Sequence, residues 1–401
     1  LEELKMRKVL LSSAAICGLA LAASPAMAEE GGVKLDLGGY FMGYGSFLDQ
    51  DTGSTYTGTE EERDLDLLRQ TEIHFTGETT LDNGLTVGAH FEMEADGNYS
   101  EAATDMEESY MYLSGGWGRL NLGEEDGTAF LLQVSAPSGD SVYDGIRQLF
   151  SPMDYTLAFA SGAALWVPST AEGRIFNDFD YDQDIDVRST KITYLTPVMN
   201  GFQGGLTYIP DSEAGTRTGN ALDDETDDYG EGYEIAARYE GQMNELGFIL
   251  GAGYSRLNLE DDDVAADSKI FGTNVENDDR DAWNVGVDMD YGPFGLGVTY
   301  MEDNLGYDDE VEEDVWVVGL DYTTGPFKLG ASWLNQDNEA GPSNGEIETD
   351  RYTGGVVYTY GPGMTFRGNI SYIEHDMPTS APNSGDDVEA TSIMLGTMVK
   401  F

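Results

Sequence analysis

The sequence predicts an all-β fold: a transmembrane, antiparallel, up-and-down β-barrel of 16 strands. Three observations predict it. Short segments alternate apolar and polar residues with period two from about residue 33 onward, as strands do when one face meets an apolar medium. Their connections alternate strictly between short turns and long acidic loops, the asymmetry of membrane barrels. No apolar stretch of helix-spanning length follows residue 28, which excludes a helical membrane protein.

The first 28 residues read as a targeting segment. Lys5, Arg7 and Lys8 form a basic start, Val9 to Ala23 an apolar run, and Pro25 a break before Ala26-Met27-Ala28. That order is a signal peptide with an A-x-A site, so cleavage is expected between Ala28 and Glu29. Leu1 to Lys5 precede the sensible start at Met6. Cys17 follows a bulky Ile16 inside the apolar run, so it reads as part of that run rather than as a lipidated residue. Residues 29–401 read as one domain, because Gly, Tyr and short alternating segments run through them without a shift in composition.

The whole chain has 20 basic and 75 acidic residues, a net charge of −55; residues 1–28 contribute +1, so residues 29–401 carry −56. That charge excludes nucleic acid as a partner, which needs basic patches, and favours cations. Residues 29–401 contain no cysteine, hence no disulfide and no thiol chemistry. Three histidines and no Gly-x-Ser-x-Gly, zinc-ligand or nucleotide-loop motif argue against an enzyme.

Strands are expected near 33–48, 66–80, 85–95, 106–114, 117–123, 188–196, 202–209, 232–240, 245–258, 282–291, 294–302, 314–323, 326–336, 350–360, 363–374 and 388–401. In the last, Ile393, Leu395, Thr397, Val399 and Phe401 share one face, with Ser392, Met394, Gly396, Met398 and Lys400 on the other. Tyr208, Tyr239, Tyr291, Tyr300, Tyr322, Tyr360 and Tyr372 fall near strand ends, where an interfacial girdle would lie. The second and third strands join through Asp82-Asn83-Gly84, with Gly84 suited to a left-handed turn position. This register sets Phe75 opposite Phe91 and Ile73 opposite Met93 on one face. On the other it sets Glu72 opposite Glu94, His74 opposite Glu92, and Thr76 opposite His90. Small soluble barrels fill their interior with apolar side chains. Here the polar face is the inner one, so the interior is wet.

Longer pieces of sequence carry a resemblance. They are Phe75-Thr76-Gly77-Glu78-Thr79 with Asn83-Gly84-Leu85, Leu113 to Gly123, Thr190 to Pro197 with Gly201-Phe202-Gln203-Gly204, and Phe401. Together these make residues 29–401 similar to the Gram-negative trimeric general porin family, in particular its alphaproteobacterial branch. The resemblance implies three barrels per homotrimer in the cell outer membrane, among outer-membrane lipid and lipopolysaccharide. It implies passive diffusion of small hydrophilic solutes and ions, and a barrel-assembly machinery that reads Phe401. It also implies that the loop after strand five, residues 124–187, folds into the lumen and narrows it. A structureless surface loop of that length is uncommon, and its apolar run Leu157 to Val167 suits a packed position. A small lid outside the pore is the alternative.

The charge pattern departs from that family. Wall positions commonly basic in it are Glu72 and Glu108 here, and Glu124 stands where Leu-Gly-Arg is usual. The expected pore-lining and constriction residues are Glu72, His74, Glu92, Glu108, Arg119 and Glu124. Arg147 and Arg174 join them, with Asp140, Asp144, Asp154 and Glu172 as acidic neighbours in the long loop. Acidic rings favour cations in pores, so a cation-selective channel is expected. Asp178, Asp180, Asp182, Asp184 and Asp186 alternate as in calcium loops, but the glycine and acid of an EF-hand are missing from their places. No cofactor and no metal ligand set is expected, beyond loosely held Ca²⁺ or Mg²⁺ at the acidic loops. Two alternatives stay open: a channel selective for one solute, and an acidic surface or adhesive β-protein without channel activity. The first would want an aromatic track along the lumen, and Tyr40, Tyr44, Tyr110 and Tyr112 are the inward aromatics.

Overall fold

The computed structural model describes residues 32–51, 65–95, 106–151, 153, 179–186, 189–212, 229–260, 268–270, 273–275, 277–307, 311–340, 345–379 and 387–401. In chain order the strands are β1 (Lys34–Gln50), β2 (Leu65–Thr80), β3 (Thr86–Glu94), β4 (Met106–Gly115), β5 (Gly118–Glu124), β6 (Thr190–Leu195), β7 (Phe202–Ile209), β8 (Tyr229–Met243) and β9 (Leu246–Leu259). There follow β10 (Ser268–Ile270), β11 (Thr273–Val275), β12 (Arg280–Tyr291), β13 (Phe294–Asp303), β14 (Val311–Thr324), β15 (Phe327–Ala340), β16 (Glu346–Gly361), β17 (Met364–Asp376) and β18 (Val388–Lys400). β10 and β11 form a separate two-stranded ribbon, and the other 16 close into one barrel. Closure pairs β1 with β18 antiparallel, and Gly39 and Phe401 exchange two backbone hydrogen bonds of 3.1 Å at its end. A closed barrel leaves no sheet edge for lipid to meet. Among the described residues no helix is long and apolar enough to cross a membrane.

The hairpin register read from the sequence is the one observed: Phe75 pairs with Phe91, Ile73 with Met93, His74 with Glu92 and Thr76 with His90. Gly84 has φ 83°. Side chains sort as the alternation requires. Leu37, Phe75, Leu122, Leu206, Leu320 and Leu395 are exposed on the outer face, while Glu72, Glu92, Asn121, Glu234, Asn284 and Asn369 are buried on the inner one. Outward rings cluster near both ends of the strands. Phe294 packs on Tyr322 near the short turns, and Tyr300 packs on Trp316 and Trp283 nearer the long loops. Phe294 and Tyr300 are six residues apart on β13, about 20 Å of strand, of the order of the about 25 Å apolar band of outer-membrane barrels.

Several strands outrun their expected bounds. β8 begins at Tyr229, β14 at Val311 and β16 at Glu346, and β15 runs on to Ala340. Their acid-rich ends read as loop by composition. They nevertheless keep period two: Val311 and Glu313 are buried inward while Glu312 and Asp314 are only half-buried. The ladder therefore continues past the apolar band, where outward acids meet water.

The long connection after β5 enters the lumen. It carries two single-turn helices, α1 (Thr128–Leu131) and α2 (Ser141–Asp144), and it walks around the inner wall on glycines. Thr128 sits against Gly205 of β7, Val134 against Gly251 of β9 and Gly286 of β12, and Pro137 against Gly297 of β13 and Gly319 of β14. Gly139 then meets Gly330 of β15 and Gly355 of β16. A Cβ at Gly286 would stand 2.6 Å from the Val134 carbonyl oxygen, and one at Gly297 2.6 Å from Pro137 Cδ. Hydrogen bonds fix the path: Thr299 Oγ1 donates to the Val134 carbonyl at 2.8 Å, Ser332 Oγ to Asp144 at 2.7 Å, and Tyr143 shares one with Ser392 at 2.7 Å. The apolar run Leu157 to Val167 lies outside the described residues.

Candidate functional site

Cross-strand register builds a polar cluster on the inner wall of β1–β4. Tyr40 donates its hydroxyl to Glu72 Oε2 at 2.5 Å, and Glu72 Oε1 lies 2.5 Å from His74 Nε2. The other nitrogen of His74, Nδ1, is 3.1 Å from Glu92 Oε1. His90 Nε2 approaches the same oxygen at 2.8 Å, while His90 Nδ1 meets Thr76 Oγ1 at 2.7 Å. The β3–β4 register slips between Glu92 and Met93, which face Glu108 and Met106. Glu107 is therefore the extra residue of a β-bulge, and carboxylate oxygens of Glu72, Glu92 and Glu107 come within 4.8 Å of one another. Glu108 faces inward beside Glu92 and feels the charges of Asp126, Glu125 and Arg147. Further round, Arg119 points inward, donating to Asn121 at 2.7 Å with its guanidinium 4.0 Å from the Tyr112 ring centre.

The loop supplies the second cluster. The Arg147 guanidinium lies over Phe130 and donates to three carboxylates: Asp182 at 2.8 Å, Asp184 at 3.0 Å and Asp126 at 3.2 Å. Asp186 pairs with Lys191 of β6 at 3.3 Å. Glu125 accepts from Asn121 at 2.7 Å. Burial pushes the Glu125 carboxyl up to about 7, against the pull of Asn121 and Arg119. It pushes Asp186 up to about 6 despite Lys191. Burial, with Asp126 adding to it, raises Asp184 as well.

A third set anchors the loop. Asp140 is fully buried, accepts from Tyr44 at 2.9 Å and caps α2 through Val142 N at 3.3 Å. It also pairs with Arg367 of β17.

The sequence reading needs two corrections. Glu124 is not an inward residue: register places it beside Ser109 and Thr190, in the row of outward Phe91, and the next residue, Glu125, turns inside as the strand ends. Arg147 does not meet Asp140 or Asp144, because the chain brings Asp126, Asp182 and Asp184 to it instead. Asp154, Glu172, Arg174, Ala28 and Glu29 lie outside the described residues. The reading missed Asp126, Lys191, Arg351 and Arg367. Alternation alone could have found the last two, since each faces inward next to an outward ring, Tyr352 and Phe366.

A family model described as Gram-negative porin matches residues 12–377. The chain belongs to the Gram-negative porin family. Among curated relatives, the major outer membrane protein of Pasteurella multocida is 28% identical over 117 residues, covering 28% of this porin and 30% of that protein. An uncharacterized protein of Rickettsia conorii is 23% identical over 222 residues, covering 52% and 49%. This porin therefore spans about half or less of the curated relatives it matches. Solved barrels overlap it far more fully. The anion-selective porin from Comamonas acidovorans has a TM-score of 0.58 at 15% identity, over 92% of this chain and 100% of that one. OmpT of Vibrio cholerae, in trimer form, has 0.55 at 15% identity, over 92% and 99%. Such identities establish the shared fold alone. Family, curated relatives and barrel together place the protein in the outer membrane, and the family and fold are those of non-enzymatic channels.

Proposed function

We propose that this porin is a water-filled, cation-selective channel for passive diffusion of small hydrophilic solutes and ions. One observation carries the selectivity: Asp126, Asp182 and Asp184 converge on the single guanidinium of Arg147, with Glu125 and Glu108 beside them. Carboxylates near a low-dielectric wall lower the energy of a passing cation and raise that of an anion. The Comamonas neighbour is an anion-selective porin, so one fold serves either sign and inner side chains decide. The test is the zero-current potential across a bilayer in a KCl gradient. A cation-selective pore makes the dilute side positive, and the opposite sign overturns the proposal.

The working unit is a homotrimer. Gly39, Gly43 and Gly45 lie on the outward parity of β1, and small residues allow close contact in membranes. An unboiled gel should show a heat-modifiable band of trimer mass, and a monomer in mild detergent would count against it. Residues 1–28 comprise a few upstream residues and a cleavable export signal from Met6, so Edman sequencing of the protein from the outer membrane should begin at Glu29.

A further inference from the structure

We propose that His74, His90 and Glu92 form an inner-wall site for one divalent transition-metal ion of the Zn²⁺ type. His74 Nδ1 and His90 Nε2 both aim at Glu92 Oε1, at 3.1 Å and 2.8 Å, and the three ligand atoms lie within 4.8 Å of one another. A tetrahedral ion with bonds of about 2.0–2.1 Å needs its ligand atoms about 3.3 Å apart. The two contacts to Glu92 lie within about half an ångström of that spacing and the two ring nitrogens within 4.8 Å of each other, so small side-chain rotations turn this trio into a two-histidine, one-carboxylate set.

The outer partners orient both rings. Glu72 Oε1 lies 2.5 Å from the remote nitrogen of His74, and the Tyr40 hydroxyl holds the other oxygen of that carboxylate, Oε2. Thr76 Oγ1 faces the remote nitrogen of His90 at 2.7 Å. With a metal ion bound, the Glu72 carboxylate beside His74 and the Thr76 hydroxyl beside His90 can each accept the proton of the far nitrogen, leaving the other lone pair for the ion as in carboxylate–histidine–metal triads. Two ring nitrogens face one carboxylate oxygen either as N–H donors or, as lone pairs, around a metal ion. The site is open on one side: the side chains of His74 and His90 are 23% and 12% exposed, so a lumen ion and a water ligand can reach it. Imidazole ligands select zinc, copper or nickel, while Ca²⁺ and Mg²⁺ require oxygen shells. The site thus differs in kind from the acidic loops.

The site needs an accessible lumen but not the selectivity proposed above, and its test measures binding rather than current. Folded full-length protein in detergent is titrated calorimetrically with ZnCl₂ in excess MgCl₂, which occupies carboxylate-only sites. One Zn²⁺ per chain is expected. His74→Gln and His90→Gln should each abolish that binding, and Glu72→Gln should weaken it by about 10- to 100-fold. Electron paramagnetic resonance of wild-type protein with one equivalent of Cu²⁺ covers the case in which a variant does not fold. It should show coupling to two imidazole nitrogens. The only other histidine, His375, is buried against Thr349 on a different part of the wall, so the pair must be His74 and His90. No Zn²⁺ binding in excess Mg²⁺, binding unchanged in both folded histidine variants, or an oxygen-only copper spectrum would each overturn the proposal and leave the rings as N–H donors to Glu92.

Discussion

Asp140 and Glu125 are both loop carboxylates, yet they differ in what holds them. Asp140 is fully buried with Arg367 and Tyr44 as partners, and removing one member of a buried ion pair costs about 3–5 kcal/mol because the other charge is stranded. Asp140→Asn should therefore loosen residues 137–144 from β15–β18 while the barrel still assembles. Limited proteolysis of the folded protein should cut the variant within that segment and spare the wild type. Glu125 has no such cation within hydrogen-bond reach among the described residues; Asn121 is its donor. Its carboxyl, raised by burial to about 7, and that of Asp186, raised to about 6, are charged above those values and neutral below them. Cation preference should thus fall as pH drops from 8 to 5, and Glu125→Gln should flatten the upper part of that curve. A zero-current potential independent of pH would refute this. Alternation made Glu108 and Arg119 legible as inward residues. At Glu124 the misplacement came from the resemblance, which sets a basic wall residue there, because alternation with Leu120 and Leu122 already turns Glu124 outward. The partners of Arg147 come from 21 to 37 residues away inside a folded loop, which no local period encodes.

The strands were legible because a membrane wall has one rule per face, repeated sixteen times. Their outer ends were not, since acid runs look alike in a loop and in a ladder that has left the lipid. The loop path was hidden for another reason. Glycines on inward positions of β9 and β12–β16 read singly as weak strand residues or bulges, and only the closed barrel lines them up beneath one segment. A Cβ at Gly319 would strike the Pro137 carbonyl. Gly319→Val should consequently displace residues 134–140 without changing barrel closure, because Gly319 pairs with Gly297 and Ser332 in an intact ladder. Single-channel recordings should show a noisier or altered conductance, with heat-modifiable trimer unchanged. Loss of the trimer would mean instead that the position serves assembly.

At the scale of the whole barrel, closure and charge make separate predictions. Phe401 is outward and extends the β1–β18 seam through Gly39, so Phe401→Asp puts a charge at the seam facing lipid. It should lower the amount of assembled trimer in the outer membrane, and unchanged levels would refute the role assigned to it. Charge decides the current. The net charge of −55 does not by itself set selectivity, because the Debye length is about 8 Å at physiological salt and acids far out on the loops are screened. The acids that count are those near the ion path and partly shielded from bulk water. Glu108 and Glu125 qualify, whereas Glu124, on the outer row beside Thr190, does not. Glu108→Gln with Glu125→Gln should therefore shift the zero-current potential toward zero at pH 8, and Glu124→Gln should leave it unchanged. Arg147→Gln should move it the other way, provided Asp126, Asp182 and Asp184 keep their places once the guanidinium they share is gone; intact protease resistance of the loop checks that condition. If Glu124→Gln moves the potential as far as the double variant, bulk negative charge rather than the inner cluster sets the selectivity, and the assignment to Glu108 and Glu125 fails.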